Sequence, residues 1–147
     1  MCCNYVTVKI LIMKKILLLA VLAITFFACS NYGDKVVYDG TEVYYKDPAL
    51  KGKAEATGEF LQEIQFTDGT TKSIQVTKDS VYNFRMVAIP EKVNDPEMEV
   101  SFQALGMLLS NDVFDGEAIN FQLCDEVFKT VRTIYIEGET GSEAMAQ

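Results

Sequence analysis

The side chains able to carry chemistry in this sequence are few and unevenly distributed. The chain holds 21 acidic and 13 basic residues, four cysteines and no histidine. Mechanisms that use imidazole as base, acid or metal ligand are therefore closed to it. Asp112, Asp115 and Glu117 surround one turn and offer the oxygen ligands calcium prefers. Their spacing lacks the Asp-x-Asp-x-Asp-Gly loop with a closing glutamate, so the segment reads as an ordinary Asn/Asp/Gly turn. Asp125 and Glu126 with Glu137 could supply the carboxylate pair of a glycoside hydrolase, a role decided by separation and burial; a solvated face is the simpler reading. No Gly-x-Ser-x-Gly elbow, Ser-x-x-Lys pair, Walker loop or dinucleotide glycine pattern occurs. Cys124 stands apart from the other cysteines, at the end of a β-rich run. Without a histidine to lower its pKa it reads as a small buried residue. Tyr32, Tyr38, Tyr44 and Tyr45 cluster near the start of the folded part and could form a sugar- or partner-binding surface. Tyr44 and Tyr45 are adjacent, so in a strand they point to opposite faces and at most one enters the main core. These two are the candidate ligand contacts; no metal or cofactor is expected.

A second group of residues addresses the chain rather than catalysing anything. Met13-Lys14-Lys15 precedes 13 uncharged residues, 16–28, and then Cys29-Ser30. A basic start, an apolar run and a small residue at the boundary are the three parts of a secretory signal peptide. Thirteen helical residues rise about 20 Å, short of the roughly 30 Å hydrocarbon layer. Residues 1–12 place Cys2, Cys3 and a further apolar patch ahead of the lysines, so Met13 is the expected start. Phe26-Phe27-Ala28-Cys29 resembles the bacterial lipobox, with Phe26 where leucine is usual. That resemblance implies that Cys29 is lipidated and becomes the mature N-terminus. Loss of residues 1–28 from 147 leaves 119, with ten basic and 21 acidic side chains, a formal charge of −11. So acidic a chain is a poor partner for nucleic acid. Cys124 would then be the sole thiol of the domain, which must be held by its core rather than by disulfides.

The elements that would position these residues read as β-structure. Runs 36–38 and 43–45 flank Asp39-Gly40, a hairpin signal. Phe60, Ile64 and Phe66 before Asp68-Gly69, with Ile74 and Val76 after it, predict a second hairpin. Residues 82–89, 98–104, 119–123 and 128–136 add further alternating or β-branched runs, and 105–110 is ambiguous between helix and strand. Seven or eight short strands with regular turns predict an all-β domain, a small antiparallel barrel or sandwich over 36–138. It is preceded by the signal-peptide helix (1–28) and a tether (29–35) and followed by a disordered tail (139–147).

Together, the lipobox and strand rhythm resemble the small calycin-like or lipocalin-like lipoproteins of Gram-negative bacteria. The resemblance implies attachment to the outer membrane through acyl chains. Ser30 after the cysteine, rather than aspartate, fits that membrane, with the domain facing the periplasm in preference to the cell surface. The expected role is a non-catalytic binding or accessory one, toward a partner protein, glycan or small ligand. The alternatives are a carrier of an apolar molecule inside a barrel and a carboxylate-dependent hydrolase of polysaccharide.

Overall fold

The computed structural model describes residues 32–139. The leader, residues 29–31 of the tether with Cys29 among them, and the tail from residue 140 lie outside those residues. The chain forms β1 (Asp34–Tyr38) and β2 (Thr41–Tyr45), then a 3-10 turn (Pro48–Leu50) leading into α1 (Lys51–Glu63). Next come β3 (Lys72–Lys78), β4 (Tyr82–Val87), the short α2 (Pro90–Val93), α3 (Pro96–Asp112), β5 (Ile119–Cys124) and β6 (Thr130–Ile136).

All six strands join one sheet whose spatial order equals the chain order. The pairs β1/β2, β3/β4 and β5/β6 are antiparallel, whereas β2/β3 and β4/β5 are parallel. The molecule is thus three hairpins laid side by side and linked by helical crossovers. The first hairpin turns as its sequence predicts: Asp39 and Gly40 both take positive φ, 44° and 84°, the type I′ geometry that matches strand twist.

Residues 41, 43 and 45 of β2 share a face with 74 and 76 of β3, 82, 84 and 86 of β4, and 119, 121 and 123 of β5. Both long helices cover that face. On α1, Ala54, Thr57, Gly58 and Leu61 are buried, and a Cβ at Gly58 would collide with the Tyr38 ring. On α3, Phe102, Gly106, Leu109 and Ser110 are buried, and a Cβ at Gly106 would fall 2.7 Å from Ile136. These glycines let helix backbone approach sheet side chains closely. Phe121 is fully buried at the centre, with its ring 5.0 Å from Phe84 and 5.8 Å from Phe102.

The crossovers carry a topological consequence. Strands β2 and β3 run opposite to β4 and β5, both crossovers step the same way along the sheet, and both long helices lie on one face. The two connections must therefore have opposite hands. Parallel crossovers are almost always right-handed, so one of this pair is the rare left-handed kind.

A β-rich domain is what the sequence led us to expect, but three finer expectations are corrected. The domain is not all-β: 51–63 and 96–112 are helices. Phe60, read as a strand residue, lies on α1. The hairpin around Asp68-Gly69 does not form, because β3 pairs in parallel with β2. Ala54, Thr57, Gly58 and Leu61 follow helical i, i+3, i+4, i+7 spacing, but three of them are too small or polar to give a strong apolar stripe. Residues 98–104 belong to α3, started by Asp95, whose carboxylate accepts from the Glu97 backbone N–H at 3.0 Å, and by Pro96 in the first turn. Secondly, the described residues hold six strands, not seven or eight. Thirdly, the sheet is open, with β1 and β6 as edges, and is neither barrel nor sandwich; helices occupy the side a second sheet would have covered. The first strand, β1, starts at Asp34, within the stretch expected to be tether.

Candidate functional site

The opposite side of the sheet has no helix over it and is polar across its middle rungs. One cross-strand rung runs through all six strands as Lys35, Tyr44, Gln75, Arg85, Gln122 and Thr133. Alternation forces this pattern: each of these residues neighbours a core-facing one in sequence. A neighbouring rung carries Thr77, Asn83, Asn120 and Tyr135.

Arg85 is the hub. Its Nε donates to Gln122 Oε1 at 3.0 Å and Nη1 to Gln75 Oε1 at 2.6 Å. Its Nη2 donates to the Phe128 carbonyl at 2.5 Å and to Thr130 Oγ1 at 3.3 Å. All four acceptors are neutral, so the guanidinium is held by dipoles rather than by a carboxylate. The planar fork suits that arrangement, because it can reach three strands and a loop at once. Asn83 forms a second hub, donating to Thr77 Oγ1 at 3.2 Å and Asp79 Oδ2 at 3.1 Å while accepting from Asn120 at 2.9 Å. Gln75 and Asn83 are only 1% and 3% exposed, so the middle of this face is closed to solvent although no helix covers it.

Two segments contribute to the closure. Gln75 Nε2 donates to the Tyr32 carbonyl at 3.0 Å, fixing the start of the described chain on the sheet. The Tyr32 ring packs edge-on against Phe128 (centroids 5.1 Å) and Tyr44 (5.8 Å). Phe128 comes from the β5–β6 turn, where it adopts φ 56°, a strained conformation for a bulky side chain. The turn is held by Asp125, whose carboxylate accepts from the backbone N–H groups of Val127 (3.0 Å) and Lys129 (2.8 Å). Next to Tyr44, Glu42 accepts from Lys35 and from the Tyr44 hydroxyl. Those bonds hold the Glu42 carboxyl below its usual range, the Lys35 contribution being the largest. Burial raises the Tyr44 hydroxyl, with the bond to Glu42 adding to it.

The two tyrosines proposed from sequence are separated as strand alternation requires. Tyr45 is buried in the helix-covered core, and Tyr44 is half-buried on the polar face. They form no joint site, because the sheet lies between their rings. Cys124 is buried and free, at the end of β5 on the polar side, and burial pushes its thiol pKa up despite the nearby Arg85 guanidinium. Asp115 pairs with Lys53 at 2.5 Å and Glu117 with Lys78 at 3.6 Å. Among the described residues no group of three acids or cysteines is placed to hold a metal ion. The Arg85–Gln75–Gln122 hub went unread in the sequence. Its signal was Gln75, Arg85 and Gln122 at the polar positions of three separate strands, which unite only once strand pairing is known.

An open sheet with both helices on one side and a hydrogen-bonded amide and guanidinium layer on the other defines a two-layer α/β domain built from three hairpins. Residues 35–135 match the model of the AF_1994_N family, described as a family N-terminal domain, and the chain belongs to that family. No curated protein and no solved structure matches it.

Proposed function

We propose that the chain is a lipid-anchored domain of the bacterial cell envelope, attached to the outer membrane through acyl chains on Cys29, with a non-catalytic binding or accessory role toward an envelope protein or glycan. The observation that carries this reading is the sequence of the leader, Lys14-Lys15 and the uncharged run 16–28 closing in Phe26-Phe27-Ala28 before Cys29, with the folded domain beginning close behind it. Tyr32 is fixed on the helix-free face by Gln75 and two aromatic rings, three residues after Cys29. Two or more acyl chains give stable anchoring without a membrane-spanning segment. No helix among the described residues is long and apolar enough to cross a membrane.

The competing chemistries find less support. Asp125 is engaged in holding its own turn, and Asp115 and Glu117 are paired with lysines. The carrier reading relied on a barrel interior, and the apolar side of this open sheet is occupied by Phe84, Phe114, Phe121 and Leu109, all fully buried. The test is metabolic labelling with an alkynyl palmitate. The parent chain is expected to take up label and fractionate with outer membrane, and a Cys29→Ala variant to lose both. Equal labelling of parent and variant would overturn the proposal.

A further inference from the structure

Three large exposed apolar side chains stand on one helix, α3: Val100, Met107 and Leu108, at 70%, 58% and 47% exposure. Helical spacing sets Val100, Ala104, Met107 and Asn111, all exposed, within about 60° of arc, with Leu108 beside them. Phe102, Gly106 and Leu109 occupy the opposite, buried side of the helix. The stripe therefore points away from the sheet. The charges around it share one sign. Among residues 96–112 there is no lysine or arginine. Glu97 stands at one end of the stripe. At the other end stand Asp112 and Glu139, whose Oε1 accepts from Asn111 Nδ2 at 3.4 Å. All three acids are exposed, and among the described residues none has an ion-pair partner. Glu99, on the flank toward the sheet, is by contrast neutralised by Arg132 at 2.9 Å. Residues 140–147 add only another acid, Glu143.

We infer that this stripe docks an amphipathic helix of a partner protein, apolar along the side laid on Val100, Ala104, Met107 and Leu108 and bearing lysines or arginines at both ends. The inference rests on the binding role proposed above, names the chemistry of the partner, and makes no use of acylation at Cys29. Charge complementarity decides between the possible occupants. A second copy laid antiparallel on the stripe would set Glu97 of one chain against Asp112 and Glu139 of the other, and a parallel copy would oppose each acid to itself. Like charges brought together in this way suppress association. A bilayer of anionic lipid is repelled for the same reason. A basic amphipathic helix meets all three carboxylates while its apolar side removes Val100 and Met107 from water. From Glu97 to Asn111 the helix rises about 21 Å, so the two basic ends of the partner lie about four turns apart.

The test uses the detergent-solubilised full chain and a synthetic helix of leucine and lysine about 15 residues long, with its leucines on one side. A carbodiimide joins carboxylates of the chain to lysine amines of the peptide, and mass spectrometry locates the bonds. Glu59 and Glu63 on α1, exposed and without ion-pair partners, are the internal reference. Coupling at Glu97, Asp112 and Glu139 is expected to exceed the reference about fivefold. It should fall to the reference level in a V100S/M107S variant, whose changes lie at exposed positions, and with a peptide of the same composition in scrambled order. Equal coupling on α1 and α3, coupling on α3 that survives V100S/M107S or scrambling, or bonds from Glu97 to a second copy in place of the peptide would each overturn the inference. None of these results bears on palmitate labelling of Cys29, so the two proposals fail separately.

Discussion

The two faces of the sheet solve the problem of holding six strands together by opposite means. On the helix-covered face, Phe84, Phe121 and Phe102 stack with Leu109 and Ile136 around glycines that let α1 and α3 approach. Burial there is non-directional, and its worth scales with area removed from water. On the other face the same strands are tied by donors and acceptors, with Arg85 reaching Gln75, Gln122 and the Phe128 carbonyl. Such a network adds little net stability when complete, yet losing one member is costly, because the others stay buried without partners. The comparison teaches a division of labour. The apolar layer determines whether the domain folds, and the polar layer determines where its first residues and its β5–β6 turn are held.

The largest expected effect lies in the apolar layer. Phe121→Ala removes a fully buried ring with two aromatic neighbours and should cost about 3–5 kcal/mol in chemical denaturation. A loss below 1 kcal/mol would mean that the centre of the core is elsewhere. Arg85→Met keeps much of the bulk but orphans the carbonyls of Gln75 and Phe128, leaving Gln122 Oε1 with the Thr130 hydroxyl alone, and should cost about 2–3 kcal/mol. An unchanged denaturation midpoint would show that the polar layer is ornamental. Thr41→Val moves the other way. Thr41 Oγ1 is buried on the apolar face with no hydrogen-bond partner, so the nearly isosteric valine should stabilise by about 1 kcal/mol. Destabilisation would show that the hydroxyl has a partner after all.

The smallest effect is one of pH and belongs to the rim of the polar face. Glu42 has its pKa depressed by Lys35 and Tyr44, so it stabilises the folded chain above its ordinary value near 4.5 and loses that contribution as pH falls through the depressed value. Lys35, raised chiefly by its bond to Glu42, contributes below its ordinary value near 10.5 and ceases to do so as pH rises through the raised one. The melting temperature of Glu42→Gln should therefore lie slightly below the parent at pH 7 and converge with it in acid. A gap that widens toward low pH would reverse the assigned sign.

Legibility in the sequence followed the same division. Hairpins and strands facing the core were readable wherever large apolar residues alternated, as in 82–87 and 119–123, and the Asp39-Gly40 turn was readable from its chemistry. The helices were not, for distinct reasons. The buried stripe of α1 is made of Ala54, Thr57 and Gly58, which carry little hydrophobic signal because close packing demands small residues there. In α3 the exposed Val100, Met107 and Leu108 blur the contrast between its faces. The start signal Asp95-Pro96-Glu97 was present and outweighed by an apparent alternation at 98–104. The polar hub was illegible because only Gln75 and Arg85, ten residues apart, meet across a hairpin, whereas Gln122 lies 37 residues beyond Arg85 and joins through a parallel pairing that no local pattern specifies.

Native-state hydrogen exchange on the Arg85→Met variant tests the division between the two layers most directly. The account predicts fast exchange at Tyr32, Gly33 and the β5–β6 turn (125–129), with protection retained in β5 and α3. Uniform loss of protection across both layers, or none anywhere, would contradict it.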